Sequence, residues 1–213
     1  MAAVRLRQME GDYEGRVRVR TRAFPLQLVG APVAPRDLLA EEWWLAAVQE
    51  PAAEFSAFTG DDWPTTTLPA FIAVRAMADQ DERLAHLLDF RVRRAFFAES
   101  RNIGKPEVLL DLVRDVGGDV DHVTRAFSDG AVREAVSQEA RLGRERYGVR
   151  GTPTLMLEDG ARLLMPMATP RIARGRIVAV HEQTCLGDAC RAATRALFEQ
   201  ALQQHSGDGS APR

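Results

Sequence analysis

Apolar and polar positions change period twice along the chain. Ala2 to Asp12 has the spacing of the end of a short helix, and Gly11 to Gly15 breaks it. Arg16 to Phe24 then alternates as Arg-Val-Arg-Val-Arg-Thr-Arg-Ala-Phe. Val17 and Val19 between arginines predict a half-buried strand, which Pro25 ends. Leu26 to Asp61 reads as irregular, punctuated by Gly30, Pro32, Pro35, Pro51 and Gly60, with one short helix over Arg36 to Trp44. Trp43 and Trp44 are both expected to pack.

From Leu68 the period becomes helical. Leu68 to Met77 is one helix. Glu82 to Glu99 is a second, with Leu84, Leu87, Leu88, Val92, Ala95 and Phe96 at helical spacing. Pro106 to Val116 is a third, ended by the C-cap signal Gly117-Gly118. Asp119 to Ser128 and Ala131 to Tyr147 follow, and Gly148 stops the last. Beyond it the period returns to two. Thr154 to Glu158, an Asp159-Gly160 turn and Arg162 to Met165 predict a β-hairpin. Arg176 to Val180 predicts a further edge strand. Cys190 to Gln204 predicts a terminal helix with Ala193, Leu197, Ala201 and Leu202 on its inner face. His205 to Arg213 is a polar tail, expected to be disordered. Four segments are expected: 1–61, the helical block 62–147, the strand-rich 148–204, and the tail 205–213.

Composition narrows the classes. The 213 residues include 28 basic and 30 acidic side chains, a net charge of −2, with 46% hydrophobic and 27% charged residues. These values exclude a disordered or collagen-like chain. The near-neutral balance gives no electrostatic reason to expect nucleic acid as a partner. Apolar runs are far shorter than the roughly 18 residues that span a bilayer, so no membrane partner is expected. Met1 to Glu10 carries Arg5 and Arg7 and has no apolar h-region, so the expected compartment is the cytoplasm. Lys105 is the single lysine, a skew that reads as the codon bias of a GC-rich bacterial genome.

The segment Tyr147-Gly148-Val149-Arg150-Gly151-Thr152-Pro153-Thr154-Leu155 resembles the cis-proline loop of DsbA-like thioredoxin-fold proteins. Ala95-Phe96-Phe97-Ala98-Glu99 through Asn102-Ile103-Gly104, and Gly117-Gly118-Asp119-Val120-Asp121, resemble the helical insert of the same family. The resemblance runs roughly from Val4 to Gln204. It implies a thioredoxin-like α/β fold with a helical insert, and the cytoplasmic branch of disulfide oxidoreductases or isomerases. It also implies that Thr152 and Pro153 form a substrate-binding loop. The residue before the proline would offer its backbone groups to an extended substrate or a thiol. Without the resemblance, Gly151-Thr152-Pro153 would only turn the chain into a strand.

The family's redox motif is a Cys-x-x-Cys between its first strand and first helix, and this chain has none. Arg16 to Phe24 resembles the family's second strand, and Ala3 to Asp12 the tail of its first helix. The first central strand is therefore absent from the expected fold. Its inner neighbours would lack ladder partners, at about 1–3 kcal/mol for each buried unpaired backbone group. Three resolutions stand open. The recorded sequence begins after that strand, or Arg176 to Val180 fills the vacancy, or the strands rearrange or pair in a homodimer.

The cysteines present are Cys185 and Cys190, a Cys-x4-Cys, with none in the first 184 residues. That excludes a disulfide-stapled scaffold and a four-cysteine zinc site. Gly187-Asp188 predicts a turn with Asp188 as N-cap, which puts Cys190 in a first helical turn, where a thiolate is favoured. Cys190 and Cys185 are thus candidates for attacking and resolving thiols. Two buried apolar cysteines, a structural disulfide, or a metal site with His181 as third ligand are the competing readings. Arg141, Arg144, Arg146 and Arg150 form either an anion site or a solvated helix face. His86 and His205 are expected at the surface. No Ser/His/Asp set, P-loop or GxGxxG is present.

The expectation is a thiol–disulfide oxidoreductase or isomerase, an enzyme by resemblance alone. Its partners would be a thiol/disulfide protein or a small-molecule thiol, with no cofactor and no resident metal. The alternatives are a catalytically inactive thioredoxin-fold binding module and a low-molecular-weight-thiol-dependent isomerase or transferase.

Overall fold

A computed structural model describes residues 1–30, 36–164, 170–180 and 188–207. The elements in chain order are helices α1 (Ala2–Asp12), α2 (Arg36–Gln49), α3 (Leu68–Gln80), α4 (Glu82–Phe97), α5 (Pro106–Asp115), α6 (Val120–Ser128) and α7 (Gly130–Glu145), strands β1 (Thr154–Met156), β2 (Arg162–Leu164), β3 (Pro170–Ala173) and β4 (Arg176–Val180), and helix α8 (Asp188–Gly207). A 3-10 turn covers Leu26–Val29. Two compact units result. One combines Met1–Val19, Arg36–Ala53 and Val149–Arg213, and the other combines Arg20–Pro35 and Glu54–Gly148.

The second unit is helical. Aspartates start three of its helices. Asp81 accepts from Arg83 N at 2.7 Å, Asp119 from His122 N at 3.0 Å, and Asp129 from Ala131 N at 2.8 Å. Each satisfies an N–H that has no partner inside its helix. Pro106 opens α5, where a missing N–H costs nothing. Gly117 adopts φ 77° just past α5, and Gly118 N donates to Val113 O at 2.9 Å. Ala73, Met77, Leu88, Leu109, Leu112 and Val113 are fully buried and form the centre of the core. An aromatic cluster, Phe58, Trp63, Phe96 and Phe97, seals the end of α4 with tilted and edge-on contacts of 4.9–5.8 Å. Glu139 on α7 accepts from Ala23 N at 2.6 Å and pairs with Arg22 at 3.2 Å.

Among the described residues, the first unit holds α1, α2, α8 and two two-stranded sheets, β1–β2 and β3–β4, both antiparallel. Met9, Tyr13 and Phe198 form a small core, with Leu6, Val17, Val19 and Leu202 packed on it. Tyr13 Oη donates to Glu199, and the Tyr13 and Phe198 rings lie 5.3 Å apart. That hydrogen bond, with burial and the carboxylate charge, holds the Tyr13 phenol above its ordinary pKa. Arg5 and Glu50 are both buried. Arg5 Nε donates to Glu50 Oε2 at 2.8 Å, and its Nη2 to Gln49 O at 2.7 Å. Glu41 on α2 accepts from Ile177 N at 2.6 Å and pairs with Arg176, so β4 is tied to α2.

Several expectations are corrected. Arg16 to Phe24 forms no strand. Arg16 and Val17 close a turn onto Tyr13 O, the rest of the segment has no ladder partners, and no strand precedes Thr154 among the described residues. Its alternation is nevertheless real. Val17 and Val19 face the Tyr13 core, while Arg16, Arg18 and Arg20 are exposed. Arg176 to Val180 does not take the place of a missing strand beside β1. It pairs with Pro170–Ala173, a strand the sequence reading missed because Pro170 argues against a ladder position. Trp43 packs as expected, but Trp44 is 60% exposed, because consecutive helical residues point about 100° apart. The helix around them runs five residues beyond Trp44. On α8, Thr194 and Phe198 are buried beside Leu197, two inner positions the apolar pattern did not name. Asp188 is itself helical rather than the residue before the helix. His86 is half-buried, with Nε2 3.3 Å from Thr21 Oγ1. His205 lies within α8, which runs to Gly207.

Candidate functional site

The chain leaves α7 and turns at Gly148, whose φ of 62° suits a residue without a Cβ. Val149 is half-buried and Arg150 exposed. Gly151, Thr152 and Pro153 then lead directly into β1, and the Thr152–Pro153 peptide bond is cis. Thr152 is exposed and Pro153 half-buried.

Local contacts set the shape of this loop. Thr154 Oγ1 donates to Gly151 O at 2.7 Å, reaching back across Thr152 and Pro153. A Cβ on Gly151 would lie 3.3 Å from Leu164 Cδ1, and Leu164 is the cross-strand partner of Thr154. The far end of the hairpin is closed by Leu157 N to Ala161 O at 2.8 Å and by Asp159 Oδ1 accepting from Ala161 N at 2.8 Å. Gly160 supplies the positive φ of that turn. Asp159 also accepts from Gln204 Nε2 at 2.5 Å, which anchors the hairpin to α8.

Cys190 is the third residue of α8, so the expected first-turn position is observed along the backbone. Its side chain lies outside the described residues, as do Cys185 and His181. Among the described residues, no group of three or more His, Cys, Asp or Glu side chains could hold a metal ion. The arginine run is largely engaged. Arg141 pairs with Glu134 at 2.5 Å, Arg144 donates to Val29 O, and Arg146 lies 5.6 Å over the Tyr147 ring. A solvated helix face whose charges are already engaged therefore describes these three. Sequence reasoning missed Gly151, Thr154 and Leu164 as the residues that shape the loop. The Gly-Thr-Pro-Thr spelling contained the signal, since a threonine three residues after a glycine can close a local side-chain-to-backbone bond.

A family model for the DSBA-like thioredoxin domain matches residues 1–173. No curated protein sequence matches the chain. Among solved structures, the fold is similar to that of a Nitrosomonas europaea protein provisionally described as a protein disulfide isomerase. That match has 16% identity and a TM-score of 0.66, covering 93% of this chain and 90% of that one. It is also similar to the cytosolic disulfide reductase DsbM of Pseudomonas aeruginosa, at 22% identity and a TM-score of 0.60, covering 93% and 92% of the two chains. A structure of the same reductase with GSH matches at 20% identity and a TM-score of 0.61, covering 92% of each. At these identities the likeness establishes the fold, which is the thioredoxin-like fold that the resemblance implies. Among the described residues, no helix is long and apolar enough to cross a membrane.

Proposed function

Since the chain belongs to the DSBA-like thioredoxin domain family, we propose that it carries out thiol–disulfide exchange in the cytoplasm, as an oxidoreductase or isomerase. The observation that carries this reading is the family match over residues 1–173, which includes the Thr152–Pro153 loop. Thr152 and Pro153 bind the substrate, and Cys190 and Cys185 do the chemistry. The Cys190 thiolate attacks one sulfur of a disulfide, forming a mixed disulfide and releasing the other half as a thiolate. Cys185 then attacks the Cys190 sulfur, releases the second thiolate and leaves a Cys185–Cys190 disulfide. The substrate has gained two electrons. Two equivalents of a small thiol, itself oxidised to a disulfide, return the pair to dithiol. What supports Cys190 as the attacking thiol is its place in the first turn of α8, where unpaired N–H groups and the positive dipole end favour a thiolate. A glutathione-type thiol is supported by the Pseudomonas reductase, whose structure is known with GSH.

Insulin reduction with glutathione as donor tests the scheme. The Cys190→Ser protein should fall to the uncatalysed rate. Equal rates in the two proteins, or none in either, remove Cys190 from the mechanism.

A second reading is favoured by one observation, that no cysteine precedes Cys185. The chain would then be a catalytically inactive thioredoxin-fold module that binds a peptide or thiol through the same loop. It predicts no insulin reduction together with retained ligand binding at Thr152.

A further inference from the structure

The hydrogen bond from Thr154 Oγ1 to Gly151 O has a consequence for the neighbouring residue. Gly151 C=O and Thr152 N–H belong to one peptide unit, which is planar, and in a trans unit the two groups point in opposite directions. Holding the carbonyl toward Thr154 therefore turns the Thr152 N–H away from β1. Among the described residues nothing accepts from that N–H, and Thr152 is exposed. Thr154 is well placed for the task. It is half-buried, opens β1, and is fixed by pairing with Leu164, whose methyls would lie 3.3 and 3.5 Å from a Cβ on Gly151. A rotation of the 151–152 peptide would break the hydroxyl bond.

We propose that Thr154 is a positioning residue. Its hydroxyl sets the 151–152 peptide plane so that Thr152 N–H is presented to a carbonyl or carboxylate oxygen of a thiol or disulfide ligand of the glutathione type. The proposal rests on the reading of this loop as a binding site.

S-Methylglutathione is the probe, because its thioether cannot exchange with either cysteine. Amide NMR follows its titration into the full chain as wild type, Thr154→Ser and Thr154→Val. The Thr152 amide should shift saturably in the wild type. Thr154→Ser should keep the wild-type Kd. Thr154→Val, similar in shape without the hydroxyl, should raise Kd about fivefold, the scale of one neutral hydrogen bond, with Tm unchanged. A valine variant that binds like wild type overturns the positioning role and leaves the function standing. A serine variant as weak as valine also overturns it, and so does a Kd loss matched by a fall in Tm. A wild-type Thr152 amide that never shifts overturns the proposal and the binding loop together. Should the valine variant fail to fold, hydrogen exchange in the wild type decides. The Thr152 amide should exchange freely alone and gain protection at saturating probe, and no gain overturns the proposal.

Discussion

Arg5 and Glu50 are each 2% exposed and depend on one another. A lone charge left in that position would be uncompensated, whereas an apolar pair of similar volume need not cost stability. Glu50→Ala should lower the unfolding free energy by about 3–5 kcal/mol in urea titrations. Arg5→Met combined with Glu50→Leu should recover most of it, and equal losses in the single and double variants would show that the charge pair itself is not the cause. Exposed carboxylates act differently. Lys105 and Asn102 hold the Asp62 carboxyl below its ordinary value, and Lys105 contributes the larger part. A depressed folded pKa gives stability that is present above the ordinary value near 4 and lost as pH falls through the lower folded value. Wild type should therefore lose more stability than Asp62→Asn between about pH 5 and pH 2. Parallel curves would remove Asp62 from the acid response. Sequence reading found neither site. Arg5 meets a partner 45 residues away, and no local pattern carries that pairing.

At the scale of elements, the helices from α3 to α7 were legible because long apolar periodicity, aspartate caps and the Gly117 stop agree with one another. The hairpin β1–β2 was legible for a similar reason, with alternation and Asp159-Gly160 coinciding. The failures have a common cause. Alternation along Arg16 to Phe24 reports which side chains face an interior, and it does so correctly, but a strand also needs a neighbour to ladder with. The candidate loop was legible as a motif, while its internal hydrogen bond depends on backbone directions that residue identities do not specify. Close approach is equally invisible beforehand. A Cβ on Gly104 would stand 2.6 Å from Thr66 O, a backbone atom that cannot swing aside. Gly104→Ala should cost about 1–3 kcal/mol by overpacking, read as a lower midpoint at unchanged m-value. An unaltered midpoint would mean the 64–67 backbone yields freely.

Across the whole molecule, burial is uneven. Ala73, Ala76, Met77, Leu109, Leu112 and Val113 are inaccessible, whereas β3–β4 exposes Ile172, Val178 and Val180. Two-stranded sheets are marginal alone, so amides of α3 and α5 should exchange slowest and those of β3–β4 fastest among the regular elements. Equal protection in both would contradict the burial pattern. The division of the chain into units carries one more consequence, for the order of events during synthesis. Glu54–Gly148 is a continuous stretch of the helical unit, while the other unit draws on the two ends of the chain. Tyr13 cannot meet Glu199 until 186 further residues have been added. At about 5–20 residues per second, that is roughly 10–40 s on the ribosome. The helical stretch has time to settle first, while α1 emerges early and waits, its apolar face open to chaperones, for the last helix to be made.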